Sequence, residues 1–130
     1  EQRGLTGAVQ IYRKESLDTM YDILADNGIL ALVSDQDAKQ KGVFVDFFGT
    51  QASTPKGAAL FHQKSSSPLV FGVCIQIELH KYRVEFVPVI PKSKSLQDII
   101  QAYTTIIEKM VRRYPEQYFW FHRRWKTKQG

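Results

Sequence analysis

The sequence predicts one α/β domain over residues 1–130, in which helices flank a mixed β-sheet. A chain of 130 residues has the length of a single compact domain. Hydrophobic residues make up 43% and charged residues 24%, a balance that is typical of globular proteins and excludes intrinsic disorder. Apolar segments of strand length alternate with segments of helical periodicity, and two late strands are close enough in sequence to form a hairpin.

The amino-terminal quarter predicts a strand, a helix and a second strand. Residues 9–12 alternate weakly between apolar and polar, which indicates a short strand. Ser16 can cap a helix, and Gly28 can end it in the left-handed conformation. Residues 29–33 are continuously apolar, as in a strand that is buried on both faces. The helix is indicated by apolar residues spaced i, i+3, i+4 and i+7, namely Leu17, Met20, Tyr21 and Leu24.

The middle of the chain predicts a short apolar segment followed by a helix. Residues 43–48 are apolar except for Asp46, and Gly49 ends the segment. Thr54 followed by Pro55 is typical of a helix start, because a hydroxyl can cap the first turn and proline lacks an N–H that would stay unpaired there. We therefore expect a helix from Pro55, with small residues that suit close packing on a sheet.

Two strands are predicted in the second half of the chain, at residues 69–77 and 82–89, with a turn at residues 79–81. The second strand places Val84 and Phe86 on the face opposite Glu85. The first contains Cys74, the single cysteine, which we expect to be buried and inert. One cysteine excludes an intramolecular disulfide and a cysteine-based zinc cluster.

The longest helix is predicted from Ser95 to Pro115. Ser95 and Asp98 resemble a capping box, and Pro115 ends the helix because it cannot continue the backbone hydrogen bonds. No apolar run reaches the ~20 residues of a membrane-spanning helix, and no secretory signal opens the chain. The apolar positions of the helix are Leu96, Ile99, Ile100, Tyr103, Ile106, Ile107, Met110 and Val111.

Asp35 and Asp37 form the best-placed pair of ionisable residues, because they follow the predicted strand at residues 29–33. At strand spacing both side chains point to one side, and strand ends in open α/β sheets line ligand-binding crevices. The pair could serve a metal or a metal–phosphate group, or it could belong to a solvated loop with a capping aspartate. We expect no metal site and no cofactor.

Two other features also have two interpretations each. Phe47, Phe48 and Gly49 could form an aromatic wall beside a turn that approaches a ligand, or they could be core residues with an ordinary turn glycine. Lys56 could bind an anion in the first turn of a helix, or it could be a surface lysine. None of the three histidines, His62, His80 and His122, belongs to a self-contained catalytic centre.

Residues 109–128 concentrate the positive charge, with seven Lys or Arg and one acidic residue, Glu116, against a net charge of +5 for the chain. Six of the sixteen aromatic residues lie there too. Such a segment suits a membrane interface, where rings and cations meet phosphate headgroups. It equally suits single-stranded nucleic acid, or a structural tail whose rings cover the sheet. Composition leaves the three interpretations open.

Residues 115–126 resemble the terminal motif of the bacterial lipid A biosynthesis acyltransferases: Pro-Glu-Gln-Tyr, a Trp, then His-Arg-Arg with an aromatic residue and Lys. A second similar block comprises Asp35-Gln36-Asp37, residues 42–49, Thr54 and residues 57–59. The two blocks occur in the family's order, about sixty residues apart. The resemblance covers essentially the whole chain and implies a glycerolipid-acyltransferase-like fold.

The resemblance covers only the later half of the family's domain. It implies a general base in a His-x-x-x-x-Asp motif, and none of the three histidines here has Asp five positions later. The first residue is Glu1 rather than Met. We therefore expect a carboxy-terminal portion of an acyltransferase, with that motif and a membrane anchor upstream, and no turnover by these 130 residues alone.

The resemblance also implies the reaction and its partners. A fatty acyl chain would pass from acyl carrier protein to a hydroxyl of a phosphorylated lipid A precursor, at the cytoplasmic face of the bacterial inner membrane. The partners would be the acyl-acyl carrier protein, the phosphorylated glycolipid and the membrane surface, without nucleic acid. The alternative is a non-catalytic module that binds lipid or nucleic acid through its basic aromatic tail.

Site residues follow from the matched motifs. Phe48 and Gly49 would lie near the acceptor's phosphorylated headgroup. Many relatives in the wider glycerolipid acyltransferase group carry Glu before this glycine, where the present chain has Phe48. Asp35 or Asp37 would supply the supporting carboxylate instead. Substrate-binding roles are implied for Arg3, Phe48, Gly49, Thr54, Trp120, His122, Arg123, Arg124 and Lys126.

Overall fold

The structure is a computed structural model that describes residues 7–11 and 17–130. It divides into two compact units, residues 1–31 and residues 32–130. In the first unit, helix α1 spans Leu17–Ala25, which confirms the predicted helix. Its predicted cap, Ser16, lies outside the described residues. The strand predicted at residues 9–12 is wrong over residues 9–11, which form no strand, and Tyr12 also lies outside the described residues.

Helix α1 ends in a left-handed residue, but that residue is Asn27 rather than the predicted Gly28. Asn27 has φ 59°, and asparagine tolerates this region because its short side chain forms local hydrogen bonds. Gly28 is required for a different reason. Its N–H donates to the carbonyl of Ile23 at 2.7 Å, and a Cβ at Gly28 would lie 2.7 Å from the same oxygen.

The second unit combines four strands with two helices, so the predicted α/β class is confirmed. Both pairs of strands are antiparallel hairpins, which form two separate two-stranded sheets, β1–β2 and β3–β4. Short 3₁₀ turns precede β1 at Lys39–Lys41 and follow the last helix at Pro115–Gln117. The elements in order are β1 Val43–Phe47, β2 Thr50–Thr54, α2 Gly57–Ser65, β3 Val70–Glu78, β4 Lys81–Pro88 and α3 Leu96–Arg113.

The core forms where the β1–β2 hairpin packs against α3. Strand side chains alternate between two faces, so Val45 and Phe47 point inward while Asp46 stays exposed. Helix α3 presents one apolar stripe at helical spacing, as the sequence predicts. The buried hydrophobic residues of this core are Val45, Phe47, Ala52, Ala59, Val89, Ile99, Ile100, Tyr103, Ile107 and Val111.

Both predicted ends of α3 are confirmed. The hydroxyl of Ser95 accepts the N–H of Asp98 at 3.1 Å, which caps the first turn. The carboxylate of Asp98 accepts a hydrogen bond from the hydroxyl of Ser93 at 2.5 Å, and that hydroxyl accepts the N–H of Ser95 at 3.0 Å. The helix stops at Arg113, two residues before Pro115, as expected from the missing proline N–H.

Glutamine side chains pair with the outer edges of both sheets. The amide of Gln101 accepts the N–H of Asp46 at 2.9 Å and donates to its carbonyl at 3.0 Å. Gln117 does the same for Gln76, at 2.9 and 3.0 Å. Edge strands leave backbone groups unpaired, and a side-chain amide, which both donates and accepts hydrogen bonds, replaces the missing neighbour at that residue.

The predicted buried strand at residues 29–33 is wrong. These residues are irregular, and Ile29 and Val33 are among the most exposed large hydrophobic residues that the structure describes. An apolar run forms a buried strand only where neighbouring strands supply its hydrogen bonds. No described strand pairs with these residues.

The predicted helix start at Thr54 and Pro55 is also wrong. Thr54 is the last residue of β2 and pairs with Val43, and its side chain is fully buried. Helix α2 begins at Gly57, after Lys56, which makes no side-chain cap. The pairing of β1 with β2 extends the strand through Thr54 and overrides the capping preference of the Thr-Pro sequence.

The β3–β4 hairpin lies where the sequence predicts, with its turn at residues 79–80. Val84 and Phe86 lie on the face of β4 opposite Glu85, as predicted, and this face is exposed. Cys74 pairs with Val84 on that face and is exposed, so the prediction of a buried cysteine is wrong. Within the described ranges, no helix has the length and apolar character needed to cross a membrane.

The β1–β2 turn consists of Phe48 and Gly49, with φ values of 58° and 74°. Two successive residues at positive φ are the requirement of a type I′ hairpin turn, whose twist matches that of the strands. Gly49→Ala should therefore lower the free energy of unfolding by about 1–2 kcal/mol, because alanine reaches positive φ only at a cost. Urea unfolding followed by circular dichroism measures the change.

Gly57→Ala is the matched control. Gly57 opens α2, and a Cβ there would meet only Leu32 Cδ1, at 3.9 Å. Its unfolding free energy should stay the same or rise, because alanine loses less backbone entropy on folding. A Cβ at Gly49 meets nothing within 4 Å, so a steric clash cannot explain a loss of stability there. Equal effects of the two substitutions would contradict the explanation that positive φ at Gly49 causes the loss.

Candidate functional site

A largely apolar cavity of about 410 Å³ lies in the second unit, along β3 and α3. This volume is within the range of about 300–1,000 Å³ that is usual for small-molecule sites. Its apolar wall comes mainly from strand and helix residues, and Asp35, Tyr103 and Tyr118 contribute polar groups to the lining. The apolar lining includes Leu69, Phe71, Val73, Ile75, Ile107 and Met110.

Arg124 is buried, with only 2% of its surface exposed. Its Nη1 donates to the carbonyl of Ser53 at 2.7 Å and its Nη2 to the hydroxyl of Thr54 at 2.6 Å. The guanidinium also lies over the ring of Phe47, 5.4 Å from its centroid, where the electron-rich face stabilises a cation. Arg124 therefore attaches the carboxy-terminal segment to the outer edge of β2.

Asp35 and Asp37 supply the negative charge near Arg124. Burial lowers the pKa of Arg124, and the charges of Asp37 and Asp35 act against that shift. Within the described part of the chain, the Oδ1 atoms of both aspartates are buried and have no hydrogen-bond partner. Asp35, but not Asp37, lines the cavity, and its buried Oδ1 can accept a hydrogen bond from a ligand, because an unpaired buried oxygen is unfavourable.

His122 positions Asp37. The backbone N–H of Asp37 donates to Nε2 of His122 at 2.8 Å, and Oδ2 of Asp37 accepts the hydroxyl of Thr127 at 2.8 Å. Nε2 of His122 accepts this hydrogen bond through its lone pair, which holds the ring against the backbone of Asp37. Asp37, one of the two predicted carboxylates, and the tail histidine are thus brought together across 85 residues of sequence.

An aromatic cluster lies beside this polar group. Trp125 stacks on Phe47 with ring centroids 5.4 Å apart, and its indole N–H donates to the Phe47 carbonyl at 3.2 Å. Phe48 meets Phe47 edge-on at 4.7 Å and also lies near Trp120, at 6.5 Å. Phe47 is a core residue, which confirms the core interpretation for that ring, whereas Phe48 is half-buried.

Glu108 holds the left-handed Phe48 in place. Oε2 of Glu108 accepts the N–H of Phe48 at 2.8 Å, and Oε1 accepts two hydrogen bonds from Arg112, at 3.0 and 2.7 Å. The Phe48 N–H is the main reason that the pKa of Glu108 lies below its usual range. The guanidinium of Arg112 lies 4.7 Å from the centroid of the Phe48 ring, so helix α3 contacts both the backbone and the ring.

Two tyrosines border the cavity, the buried Tyr103 and the half-buried Tyr118. Burial raises the pKa of Tyr103, whose hydroxyl donates to the carbonyl of Pro55, and also raises the pKa of Tyr118. Both phenols therefore remain protonated at neutral pH and can act as hydrogen-bond donors. Tyr118 also packs edge-on against Trp120, at 4.9 Å, which links the cavity to the aromatic cluster.

The structure brings together most of the site residues that the sequence singles out. Asp37, His122, Arg124 and Thr54 form one connected polar group, while Phe48 and Trp120 belong to the aromatic cluster. Gly49, Lys56, Arg123 and Lys126 are exposed, and Arg3 lies outside the described residues. The other two histidines are used locally: Nδ1 of His62 lies 2.7 Å from the Ser67 carbonyl oxygen, and His80 lies in the β3–β4 turn at φ 61°.

Sequence reasoning does not identify three residues of the site as site residues. Tyr118 and Trp125 belong to the tail motif that resembles the family, so the motif match could have identified both as site residues. Glu108 gives no local signal, because its partner Phe48 is 60 residues away in sequence.

The sequence matches the bacterial lipid A biosynthesis acyltransferase family over residues 2–127, so the chain belongs to this family, as its motifs predict. It is similar to the lipid A biosynthesis palmitoleoyltransferase of Escherichia coli (strain K12) and to a lipid A biosynthesis acyltransferase of Shigella flexneri. Each is 32% identical over 98 residues, covering 72% of this chain. The match covers 32% of each relative, so the chain spans about a third of their length.

Arg124→Lys should lower the free energy of unfolding by about 2 kcal/mol, because lysine cannot donate to Ser53 and Thr54 together and leaves a buried acceptor unpaired. Arg123→Lys at the neighbouring exposed position should change it by less than about 0.5 kcal/mol. Chemical denaturation of both variants measures the difference. Similar losses for the two would show that Arg124 does not hold the tail to β2.

Glu108→Gln should lower the free energy of unfolding by about 1 kcal/mol at neutral pH, because the amide replaces a charged acceptor. The folded protein lowers the pKa of Glu108, so this stabilisation is present above the unfolded-state pKa of about 4.3 and is lost as the pH falls through the folded-state pKa.

Urea unfolding of wild type and Glu108→Gln at several pH values tests this. The difference between the two proteins should shrink as the pH falls below about 4. A difference that stays constant down to about pH 2 would contradict the role of the charged carboxylate.

Proposed function

We propose that this chain forms part of an acyltransferase of lipid A biosynthesis. In this proposal a fatty acyl chain passes from acyl carrier protein to a hydroxyl of a phosphorylated glycolipid precursor, at the cytoplasmic face of the bacterial inner membrane. The observation that carries it is the apolar cavity along β3 and α3, with polar groups in its lining, in a chain that belongs to the lipid A acyltransferase family.

The cavity supplies the binding site for the acyl chain. Its β3 and α3 walls are mainly aliphatic and aromatic side chains, and burying a hydrocarbon chain against them is favourable by about 0.8 kcal/mol per methylene group. A cavity of about 410 Å³ accommodates one such chain rather than a whole glycolipid. Met110 of α3 and Val73 of β3 line this wall and would contact the acyl chain.

The polar group orients the reacting end. Asp35 lines the cavity and has a buried Oδ1 without a partner, so it can accept the hydrogen bond of a substrate hydroxyl. Asp37 is held by His122, and Arg124 is fixed by Thr54, so neither group needs to reorganise when substrate binds.

The exposed cations and the β1–β2 turn contact the acceptor. In the proposal, Arg123 and Lys126 bind its phosphates, while Phe48, Gly49 and Trp120 border the same region. Arg3 adds a further cation. Arg124 and Thr54 are buried and act by positioning the segment that carries the exposed cations.

The reaction joins the acceptor oxygen to the acyl carbonyl carbon and breaks the carbon–sulfur bond of the thioester. The hydroxyl proton must pass to a general base, and the thiolate of the carrier leaves. We propose that the base belongs to a His-x-x-x-x-Asp motif outside these 130 residues. The residues described here bind and orient the acyl chain and the acceptor.

An assay of acyl transfer from acyl-acyl carrier protein to a phosphorylated lipid A precursor tests the proposal. The complete product of the reading frame that contains residues 1–130 should transfer the chain, whereas residues 1–130 alone should not. In the complete product, Met110→Trp should reduce kcat/KM for long acyl chains by about tenfold, because the indole fills the cavity.

Lys109→Trp, at the neighbouring exposed position of α3, is the control and should leave kcat/KM unchanged. Phospholipid binding without transfer by the complete product would contradict an enzymatic function and favour a non-catalytic lipid-binding protein. Transfer by residues 1–130 alone would contradict the requirement for a base elsewhere. Equal losses in the two tryptophan variants would remove the cavity as the acyl site.

A further inference from the structure

Three consecutive exposed aromatic residues form a β-turn near the end of the chain. The N–H of His122 donates to the carbonyl of Phe119 at 3.2 Å, which closes the turn around Trp120 and Phe121. Phe119, Trp120 and Phe121 are 62%, 51% and 91% exposed. We call these three residues the aromatic tip.

The composition of this turn is unusual for a protein surface exposed to water. Central turn positions favour Gly, Pro, Asn, Asp and Ser, which either fit the backbone or bond to it. Phe121 offers neither property, and its ring is almost entirely in solvent. Contiguous exposed apolar residues of this kind mark sites of contact with a membrane or another molecule.

The tip is held in its exposed position. The indole N–H of Trp120 donates to the carbonyl of Pro115 at 2.6 Å, and its ring packs edge-on against Tyr118 at 4.9 Å. The rings of Phe119 and Phe121 lie 6.0 Å apart. These contacts keep the tip from folding back onto the core and lower the ordering cost of binding.

Positive charge flanks the tip on both sides. Arg113 ends α3 before the tip, where it lies over the Tyr114 ring at 5.1 Å, and Arg123 follows it two residues after Phe121. Both are exposed, as are Arg112, Lys126 and Lys128, while Glu116 is the single acidic residue of positions 109–128. Exposed rings that are preceded and followed in the sequence by exposed cations suit the acyl region and the phosphate layer of a bilayer.

We propose that the aromatic tip, residues 119–121, inserts into the interface of an anionic lipid bilayer while Arg113 and Arg123 contact the lipid phosphates. This inference rests on the membrane location in the proposed function and names the surface responsible. The rings lie at the apex of a turn, whereas stacking of nucleic-acid bases uses rings inside a groove whose cations follow the backbone. The geometry therefore favours a bilayer over nucleic acid.

Tryptophan fluorescence provides a local test, because the chain has two tryptophans, Trp120 and Trp125. In a Trp125→Phe variant, Trp120 alone reports on the tip. Its emission should shift to the blue on addition of vesicles containing phosphatidylglycerol, and brominated lipids should quench it. Circular dichroism shows whether Trp125→Phe is folded, since Trp125 stacks on Phe47.

Vesicle sedimentation tests the same inference with both tryptophans present. The double change Phe119→Ser and Phe121→Ser should weaken binding to anionic vesicles by at least about tenfold. Phe86→Ser is the matched control, because Phe86 is 72% exposed on β4 and should leave binding unchanged. Arg113→Gln and Arg123→Gln should each weaken binding about fivefold, whereas the exposed Lys64→Gln should have no effect.

Several results would overturn the inference. These are unchanged vesicle binding after the double phenylalanine change, equal losses with Phe86→Ser, or no quenching of Trp120 by brominated lipids. Binding of a single-stranded oligonucleotide that changes Trp120 emission, with no vesicle binding, would reassign the surface to nucleic acid. Vesicle binding is measured without acyl donor or acceptor, so its failure is distinguishable from failure of the acyl-transfer assay.

Discussion

The bonds of the buried Arg124 guanidinium determine how the second unit is assembled. A cation removed from water must regain its hydrogen bonds within the protein, and here the Ser53 carbonyl and the Thr54 hydroxyl provide them. This attachment fixes the carboxy-terminal segment against β2. It also places His122 beside Asp37 and Trp125 against Phe47. The polar and aromatic parts of the site thus share one point of attachment.

Helix α3 is the second support, because it contacts both the core and the site. One side of it fills the core between the β1–β2 hairpin and α2. Two of its polar side chains also form hydrogen bonds with the hairpin, Gln101 with β1 and Glu108 with the turn at Phe48. The cavity opens along the same helix and β3. A change in the position of α3 would therefore alter the proposed acyl site and the turn proposed to contact the acceptor together.

How far the sequence predicts the structure depends on the range of the interactions involved. The limits of α3, with Ser95 at the start and Pro115 just beyond the end, follow from local capping rules and were predicted correctly. Thr54 carries an equally good local signal, yet the helix start predicted there was wrong, because pairing with Val43 competes with the cap. The tail motif identified the family, although neither its burial at Arg124 nor its exposure at Phe121 can be derived from it.

The sequence by itself determined the periodic helices, the β3–β4 hairpin, the basic aromatic tail and the family, because each depends on residues close together in the chain or on a matched motif. Only the tertiary structure decided which of two adjacent arginines is buried, which face of β4 is exposed and where the two aspartates lie. The burial of Arg124 and the position of Asp37 depend on partners 70 and 85 residues away, Thr54 and His122. Such pairings depend on the three-dimensional packing of the whole unit, which local propensity does not encode.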